Sequence, residues 1–339
     1  MPKTYIIVLN YNGWRDTIAC IESILHLDYK NYSIIIVDNN SLDNSVNNII
    51  KYLEGDINPY MEDFILNDVP KTIIPKPVPY CYLSEDDVNG TGDVNNCKIT
   101  IIKSNSNGGF SAGNNLGIKY ALLRKDAEYM WLLNNDIIIT PNSLSRLIEY
   151  HIAVNSNNKV GIVGAKLLYY GHSNTVQCLG GGIYNKYLGV SLQLYNGKFD
   201  RLNLPNMKID YVSGACMLVS IDYINTVGLL SEDYFLYYEE IDWATRGRLK
   251  GYTIDYTDRV AIYHKEGATI GATSRNSQNR NIMAEYYYIR NKLIYTDKYY
   301  GFLPKLTVRI GLLLTIVRRV RYGQLNNAKT IWGILLGKR

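Results

Sequence analysis

The chain has 339 residues, 47% of them hydrophobic and 20% charged. That suits one large α/β domain with an appended region and excludes a string of independent folds. A formal net charge of +5 is too mild to argue for nucleic acid as a partner, and the basic residues crowd toward the C-terminus.

The N-terminal "MPKTYIIVLNYNG" ends its apolar run in a polar turn rather than a small-residue cleavage site, so it is read as a first strand and not a signal peptide. Tyr5 to Leu9 and Ile34 to Val37 are continuous apolar runs, which predict strands buried on both faces of a parallel sheet. Between them Ile18, Ile21, Ile24 and Leu25 fall at helical spacing. Ser41 or Asp43 is placed to cap a second helix through Leu53. Residues 54–98, with five prolines and the acidic "SEDDVNGTGD", read as a surface insertion with little periodicity and little part in the chemistry. A strand at Ile99 to Ile102, a helix at Ser111 to Leu123 and a strand at Met130 to Leu133 follow. Further on, Thr140, Pro141 and Asn142 open a helix to about His151, and strands are expected at Val160 to Val163 and Tyr211 to Val219. A helix from about Glu239 to Gly251, a strand closing at His264 and basic helices from Asn281 onward complete the chain. Cys20, Cys81, Cys97, Cys178 and Cys216 are scattered and odd in number, without C-x-x-C or zinc-finger spacing; they point to a reducing compartment and no structural zinc.

Alternating strands and helices predict a Rossmann-like, doubly wound sheet, whose ligands sit outside the carboxyl ends of the strands. Asn10, Asp38, Ser104 and Asn134 lie at such ends. Asp136 follows in "WLLNNDIIIT". An isolated strand-end Asp can simply cap a turn, but beside Asp38 on one sheet edge it also suits a divalent cation held by few carboxylates plus phosphate oxygens. The glycines of "SNSNGGFSAGNNLG" match neither G-x-G-x-x-G nor a P-loop, and can be a turn feeding a packed helix or a helix start facing an anion. In "YYEEIDWATR", Glu239 and Asp242 share one helix face and Glu240 points about 100° away. First-turn acids also complement the helix dipole, so one structural and one catalytic role remain open. His264, a strand-end histidine, is structural or a ligand.

Taken together, "IVLNYNGWRDT", "IIIVDNNSLD", "NGGFSAGNNLGI", "LLNND", "VSGACMLV" and "YFLYYEEIDWATRGRLKGY" resemble the family-2 inverting glycosyltransferases of GT-A fold, especially rhamnosyltransferase-like and galactofuranosyltransferase-like members. The resemblance runs from about Tyr5 to His264 apart from the insertion. It implies that Leu9, Asn10, Tyr11 and Asp38 hold the nucleotide base, and that Asn107, Gly109, Phe110, Gly113 and Asn114 lie beside the nucleotide-sugar. The family's D-x-D falls on Asn134, Asn135 and Asp136, so only the last acid is kept; the resemblance counts Asn134 and Asn135 with the nucleotide-binding residues and implies Asp136 and His264 as ligands of Mg²⁺ or Mn²⁺. Glu240 is the implied general base, with Glu239 and Asp242 as second choices. Trp243 and Tyr238 are expected to desolvate that acid. The implied substrates are a dTDP- or UDP-linked sugar, with rhamnose expected, and a polysaccharide or polyprenyl-linked glycan acceptor.

The division expected is a GT-A domain over 1–270 and a basic helical appendage over 271–339. In "FLPKLTVRIGLLLTIVRRVRYG", Leu306, Ile310, Leu313, Val317 and Val320 recur at helical spacing among Lys and Arg, too short an apolar run to span a bilayer. Such a helix suits the surface of an anionic membrane, here the inner face seen from the cytoplasm; the alternative is packing on the domain or in a homo-oligomer. Two other readings compete. A sugar-nucleotide nucleotidyltransferase would need a basic glycine-rich loop after the first strand, and "LNYNGWRDT" has one glycine and Arg15. A non-catalytic carbohydrate-binding protein of the same fold draws on the reduced Asn-Asn-Asp triplet, against the three acids at 239, 240 and 242.

Overall fold

The computed structural model describes residues 1–59, 66–90, 97–156, 158–201, 207–265 and 282–337. Its centre is a parallel array of β1 (Thr4–Asn10), β2 (Tyr32–Asp38), β3 (Tyr80–Ser84), β4 (Ile99–Lys103) and β5 (Tyr129–Asn134), in the order β5-β1-β2-β4-β3. Side chains alternate across each strand. Ile7 and Val37 pack with Leu116, Tyr120 and Ala121 of α4 (Gly109–Leu123) on one face. Ile6, Val8, Ile34 and Ile36 pack on the other with α1 (Trp14–Leu25), α2 (Ser45–Glu54) and α5 (Ser143–Asn155). Ile6, Ile7 and Val8 are wholly buried, and each contributes about 1.5–3 kcal/mol by leaving water. Register puts Asn10 beside Asp38 and Leu9 beside Asn134, so the polar strand ends share one edge.

Beyond β5 the sheet turns mixed. The short β6 (Ile137–Ile138) pairs with β14 (Thr253–His264), which runs parallel to β7 (Val160–Tyr169). The expected strand over Tyr211 to Val219 is two: β12 (Tyr211–Val212) leaves for a small sheet with β9 (Gly181–Asn185) and β10 (Val190–Gln193), and β13 (Cys216–Ser220) inserts antiparallel between β5 and β7. The break has a use: the Ala215 carbonyl accepts from the Asn134 N–H. β8 (His172–Leu179), β9, β10 and β11 (Lys198–Phe199) form hairpins that the sequence pattern did not announce.

Two expectations need correction. The insertion is not merely a surface loop: it supplies the edge strand β3 and α3 (Glu85–Asn89), and Leu66, Val69 and Val88 are buried. Nor are all cysteines unpaired. Cys81 is disulfide-bonded to Cys97, because β3 returns alongside the entry to β4, while Cys20, Cys178 and Cys216 stay free and buried. The cysteine argument for a reducing compartment therefore falls.

The C-terminal region is helical: α8 (Ile282–Tyr299), α9 (Phe302–Arg321) and α10 (Leu325–Leu335). Ile289, Leu293, Val308, Leu312 and Ile331 form its apolar centre, and buried Arg319 pairs with Glu285. The boundary expected at 270–271 lies outside the described residues.

Candidate active site

The first wall is the loop after β1. The Asn10 amide nitrogen donates to Asp38 Oδ1 at 2.7 Å and to Ser41 Oγ at 3.1 Å, and Ser41 N–H donates to Asp38 Oδ2 at 3.0 Å. Asp38 is thus oriented by two donors at the strand end, where its carboxylate retains lone pairs for a further N–H. Tyr11 is half-buried in the same loop. Asn135 turns inward: its amide nitrogen donates to Gly13 O and Thr17 Oγ1, both at 3.1 Å, so it ties the end of β5 to this loop. A Cβ at Gly13 would come within 2.5 Å of that nitrogen.

The second wall is the start of α4, which begins at Gly109 and not at Ser111. Gly109 has φ +82, and a Cβ there would lie 2.1 Å from the Phe235 carbonyl oxygen, which accepts from Phe110 N–H at 2.9 Å. Only glycine fits such a left-handed, close approach without strain. Asn39, which sequence reasoning left without a role, donates to Asn107 Oδ1 at 2.9 Å and to Gly109 O at 3.0 Å. Gly113 lets Leu9 reach the helix, since a Cβ would meet Leu9 Cδ1 at 2.4 Å. The Phe110 ring lies against Gly214, and the Asn114 amide nitrogen donates to Phe110 O.

Asp136 and His264 meet where β6 pairs with β14. His264 Nε2 is 3.1 Å from Asp136 Oδ1, placed as an ion pair but not aligned as a hydrogen bond, so the buried Oδ1 has no hydrogen-bond partner. His264 Nδ1 lies 2.8 Å from Gln177 Oε1. An amide oxygen only accepts, so Nδ1 carries the proton and Nε2 turns its lone pair to the carboxylate. Two lone pairs at that distance repel unless a cation or a proton joins them. Burial alone would raise the Asp136 carboxyl; with the proton on Nε2 the imidazolium charge of His264, and more weakly Lys265, outweigh burial and hold it below the usual carboxylate range. One carboxylate oxygen and one imidazole nitrogen fit Mg²⁺ or Mn²⁺, with other ligands to come from a diphosphate. Among the described residues no group of three or more His, Cys, Asp or Glu converges as a ligand set.

The acids stand at the start of α7 (Glu239–Leu249). The residues before them, Tyr237 and Tyr238, have φ +70 and +77, positions that cost about 1–3 kcal/mol each for non-glycine residues and that gather at functional sites. The three acids differ. Asp242 is fully buried and receives Tyr299 Oη at 2.6 Å, Arg246 Nε at 2.7 Å and Lys298 Nζ at 2.8 Å. Burial pushes its carboxyl up, yet Lys298, Tyr299 and Arg246 hold it below the usual range, so it is an anchored anion. Glu239 and Glu240 each have a buried Oε2 without a hydrogen-bond partner. Burial and then the charge of Glu240 raise Glu239 well above the ordinary value, and burial pushes Glu240 up to about 7. The Trp243 ring packs on Tyr223 and its N–H donates to Gly228 O. Tyr238 packs in one cluster with Tyr211, whose hydroxyl feels the charge of Glu240.

Phe235 links this turn to the glycine block, and Ala215 links the β12–β13 break to Asn134. Nine buried side-chain oxygens lack a hydrogen-bond partner among the described residues, and six of them belong to Asn39, Ser111, Asn114, Asp136, Glu239 and Glu240. Buried polar groups are rarely left so. Asn39 and Asp136 follow the ends of β2 and β5, Ser111 and Asn114 lie near the start of α4, and Glu239 and Glu240 open α7, so these oxygens are left available to a polar ligand.

Comparison with known proteins agrees with the resemblance. Residues 5–62 match the family described as glycosyl transferase family 2. The low-salt glycan biosynthesis hexosyltransferase Agl10 of Haloferax volcanii is 30% identical over 169 residues, 50% of this chain and 52% of that protein, so the chain spans about half the length of that curated relative. The mannosyltransferase PcManGT of Pyrobaculum calidifontis, solved with GDP-Man and Mn²⁺, superposes with a TM-score of 0.52 at 10% identity, covering 99% of this chain and 87% of that one. S. aureus TarS gives 0.49 at 13% identity over 86% of this chain and 39% of that one. The mixed sheet with flanking helices is the GT-A fold.

Proposed function

We propose that this chain, a family-2 glycosyltransferase by its N-terminal match and GT-A by its fold, moves a sugar from a nucleotide diphosphate to a glycan hydroxyl with inversion. The observation that carries the reading is the set of unpartnered buried oxygens after β2 and β5 and at the starts of α4 and α7. Asp38 and Asn10 with Leu9 and Tyr11 are the base-binding wall, and Asn107, Gly109, Phe110, Gly113, Asn114 and Asn134 line the diphosphate and sugar. Asp136 and His264 would hold Mg²⁺ or Mn²⁺, which when bound stabilises the charge on the departing diphosphate. Mn²⁺ in the mannosyltransferase neighbour supports that choice.

Glu240 is the base. Its carboxylate takes the proton of the acceptor hydroxyl as that oxygen bonds to the anomeric carbon and the bond to the diphosphate oxygen breaks. A value of about 7 leaves it half ionised near neutral pH, basic enough to accept the proton. Asp242 anchors α7, and Glu239 stands beside the base with its own carboxyl raised by burial and by the charge of Glu240. The acceptor is a polysaccharide or lipid-linked glycan, with rhamnose the expected sugar and dTDP or UDP the expected carrier. No described helix is long and apolar enough to cross a membrane. Yet Leu306, Ile310, Leu313, Val317 and Val320 form a stripe along α9, each 41–49% exposed, with exposed Arg318 and Arg321 at its end, which suits an anionic membrane surface. The test is release or transfer of sugar from a nucleotide-sugar panel with Mn²⁺, by wild type and Glu240→Gln. Turnover with one donor, lost in the variant, supports the reading; no turnover with any donor favours a binding protein.

A further inference from the structure

The turn that presents the two glutamates is held from outside the sheet domain. Asn291, in the middle of α8 and fully buried, donates through its amide nitrogen to Leu236 O at 2.9 Å and Tyr237 O at 3.1 Å. Its oxygen accepts from Arg290 Nη1 at 2.8 Å, and the same Arg290 nitrogen donates to Asp233 O at 2.9 Å. Asparagine is a poor interior helix residue, so its place here calls for a reason outside the helix. Lys298 and Tyr299, two turns later on α8, grip Asp242 instead. The helix α7 is therefore anchored independently. What Asn291 holds are the backbone carbonyls at the pair of left-handed tyrosines immediately before Glu239, whose side chains are packed separately, the Tyr238 hydroxyl donating to Gly189 O and the Tyr237 ring meeting Tyr288.

We propose that Asn291 is a positioning residue: by binding the Leu236 and Tyr237 carbonyls it fixes the left-handed Tyr237–Tyr238 pair and so holds Glu239 and Glu240 in their buried place. This rests on Glu240 acting as the base, and it makes the C-terminal helices part of the reaction site rather than an appendage. The groups facing Glu240 from packed elements are Glu239 and Tyr211; Asn291 touches neither carboxylate and acts only through the backbone.

The experiment follows the carboxyl titration of Glu240 by carbon NMR in the full chain with labelled glutamate, the signal identified by its loss in Glu240→Gln. Wild type is expected to titrate near 7. Asn291→Ala, and the similar-sized Asn291→Leu that removes the donors without adding charge, should bring it down by about one pH unit or more as the turn opens to water. Transfer kcat should fall about tenfold to a hundredfold, with affinity for Mn²⁺ and nucleoside diphosphate changed by less than about twofold. Glu285→Gln, which breaks the buried pair with Arg319, is the control: it lowers Tm but leaves the titration where it was. An unmoved titration in both Asn291 variants, or an equal shift in Glu285→Gln, overturns the proposal. If wild type transfers no sugar at all, the functional reading fails, and the titration still decides whether Asn291 positions Glu240.

Discussion

Glu240 is expected to weaken the fold that holds it, and replacing it should expose that cost. Its carboxyl is raised by burial from an ordinary 4.5 to about 7. A raised carboxyl adds stability that is fully present below 4.5 and is lost as pH climbs through about 7, because the native state resists ionisation that the unfolded chain accepts. At about 1.4 kcal/mol per pH unit the gap amounts to about 3 kcal/mol. Glu240 is only half-buried by its exposed surface, so solvent reduces this to about 1–3 kcal/mol. Glu240→Gln cannot ionise. Urea denaturation at a series of pH values should therefore show the variant gaining on wild type between pH 4.5 and 7 and then holding a constant advantage. In the same preparations transfer should fall by about 10²–10⁴-fold. Wild-type turnover should itself drop about tenfold per pH unit below about 7. A stability difference that does not change with pH, or a variant that transfers sugar at the wild-type rate, would refute the reasoning.

Three further outcomes are expected. Gly109→Ala should lose about 2–3 kcal/mol, from the left-handed penalty plus the Phe110 to Phe235 hydrogen bond, and should weaken nucleotide binding; an unchanged melting curve would show that the loop yields freely. Asp242→Asn should destabilise by about 1–3 kcal/mol, less than a sealed pair because Lys298 and Arg246 are partly exposed. Its turnover per folded molecule should stay well above that of Glu240→Gln, and a loss as deep as that variant's would move the base to 242. Finally, serine at Leu306, Ile310 and Leu313 together should weaken co-sedimentation with phosphatidylglycerol vesicles at least about tenfold without affecting donor hydrolysis. Undiminished sedimentation would assign the stripe elsewhere.

The parallel half of the fold was legible because β1, β2, β4 and β5 are buried on both faces and write their burial as unbroken apolar runs ending in Asn10, Asp38 and Asn134. β3 was hidden because an edge strand is half-exposed and "YCYLS" carries no strong pattern. The α4 start was read two residues late, since Gly109 is set by the distant Phe235 carbonyl and not by a local cap; Ser111 Oγ caps nothing. Likewise no local rule puts a left-handed tyrosine at a helix N-cap, so the Tyr238 turn and its Asn291 clamp could not be foreseen. Gln177, which fixes the His264 tautomer, lies on a hairpin strand whose pairing is long-range. The chain has 31 tyrosines against five phenylalanines, and for some of them there is a structural reason: Tyr211, Tyr234, Tyr238 and Tyr295 form one cluster against α7.

Isothermal titration of nucleoside diphosphate into the full chain, with Mn²⁺ and with chelator, in wild type and Asp136→Ala, tests the central claim most directly. Wild-type affinity should tighten by about tenfold or more when Mn²⁺ is present, and Asp136→Ala should bind weakly under both conditions. Equal wild-type affinity with and without the metal, or a metal response that survives loss of the Asp136 carboxylate, would contradict the assignment of this sheet edge as a metal–diphosphate site.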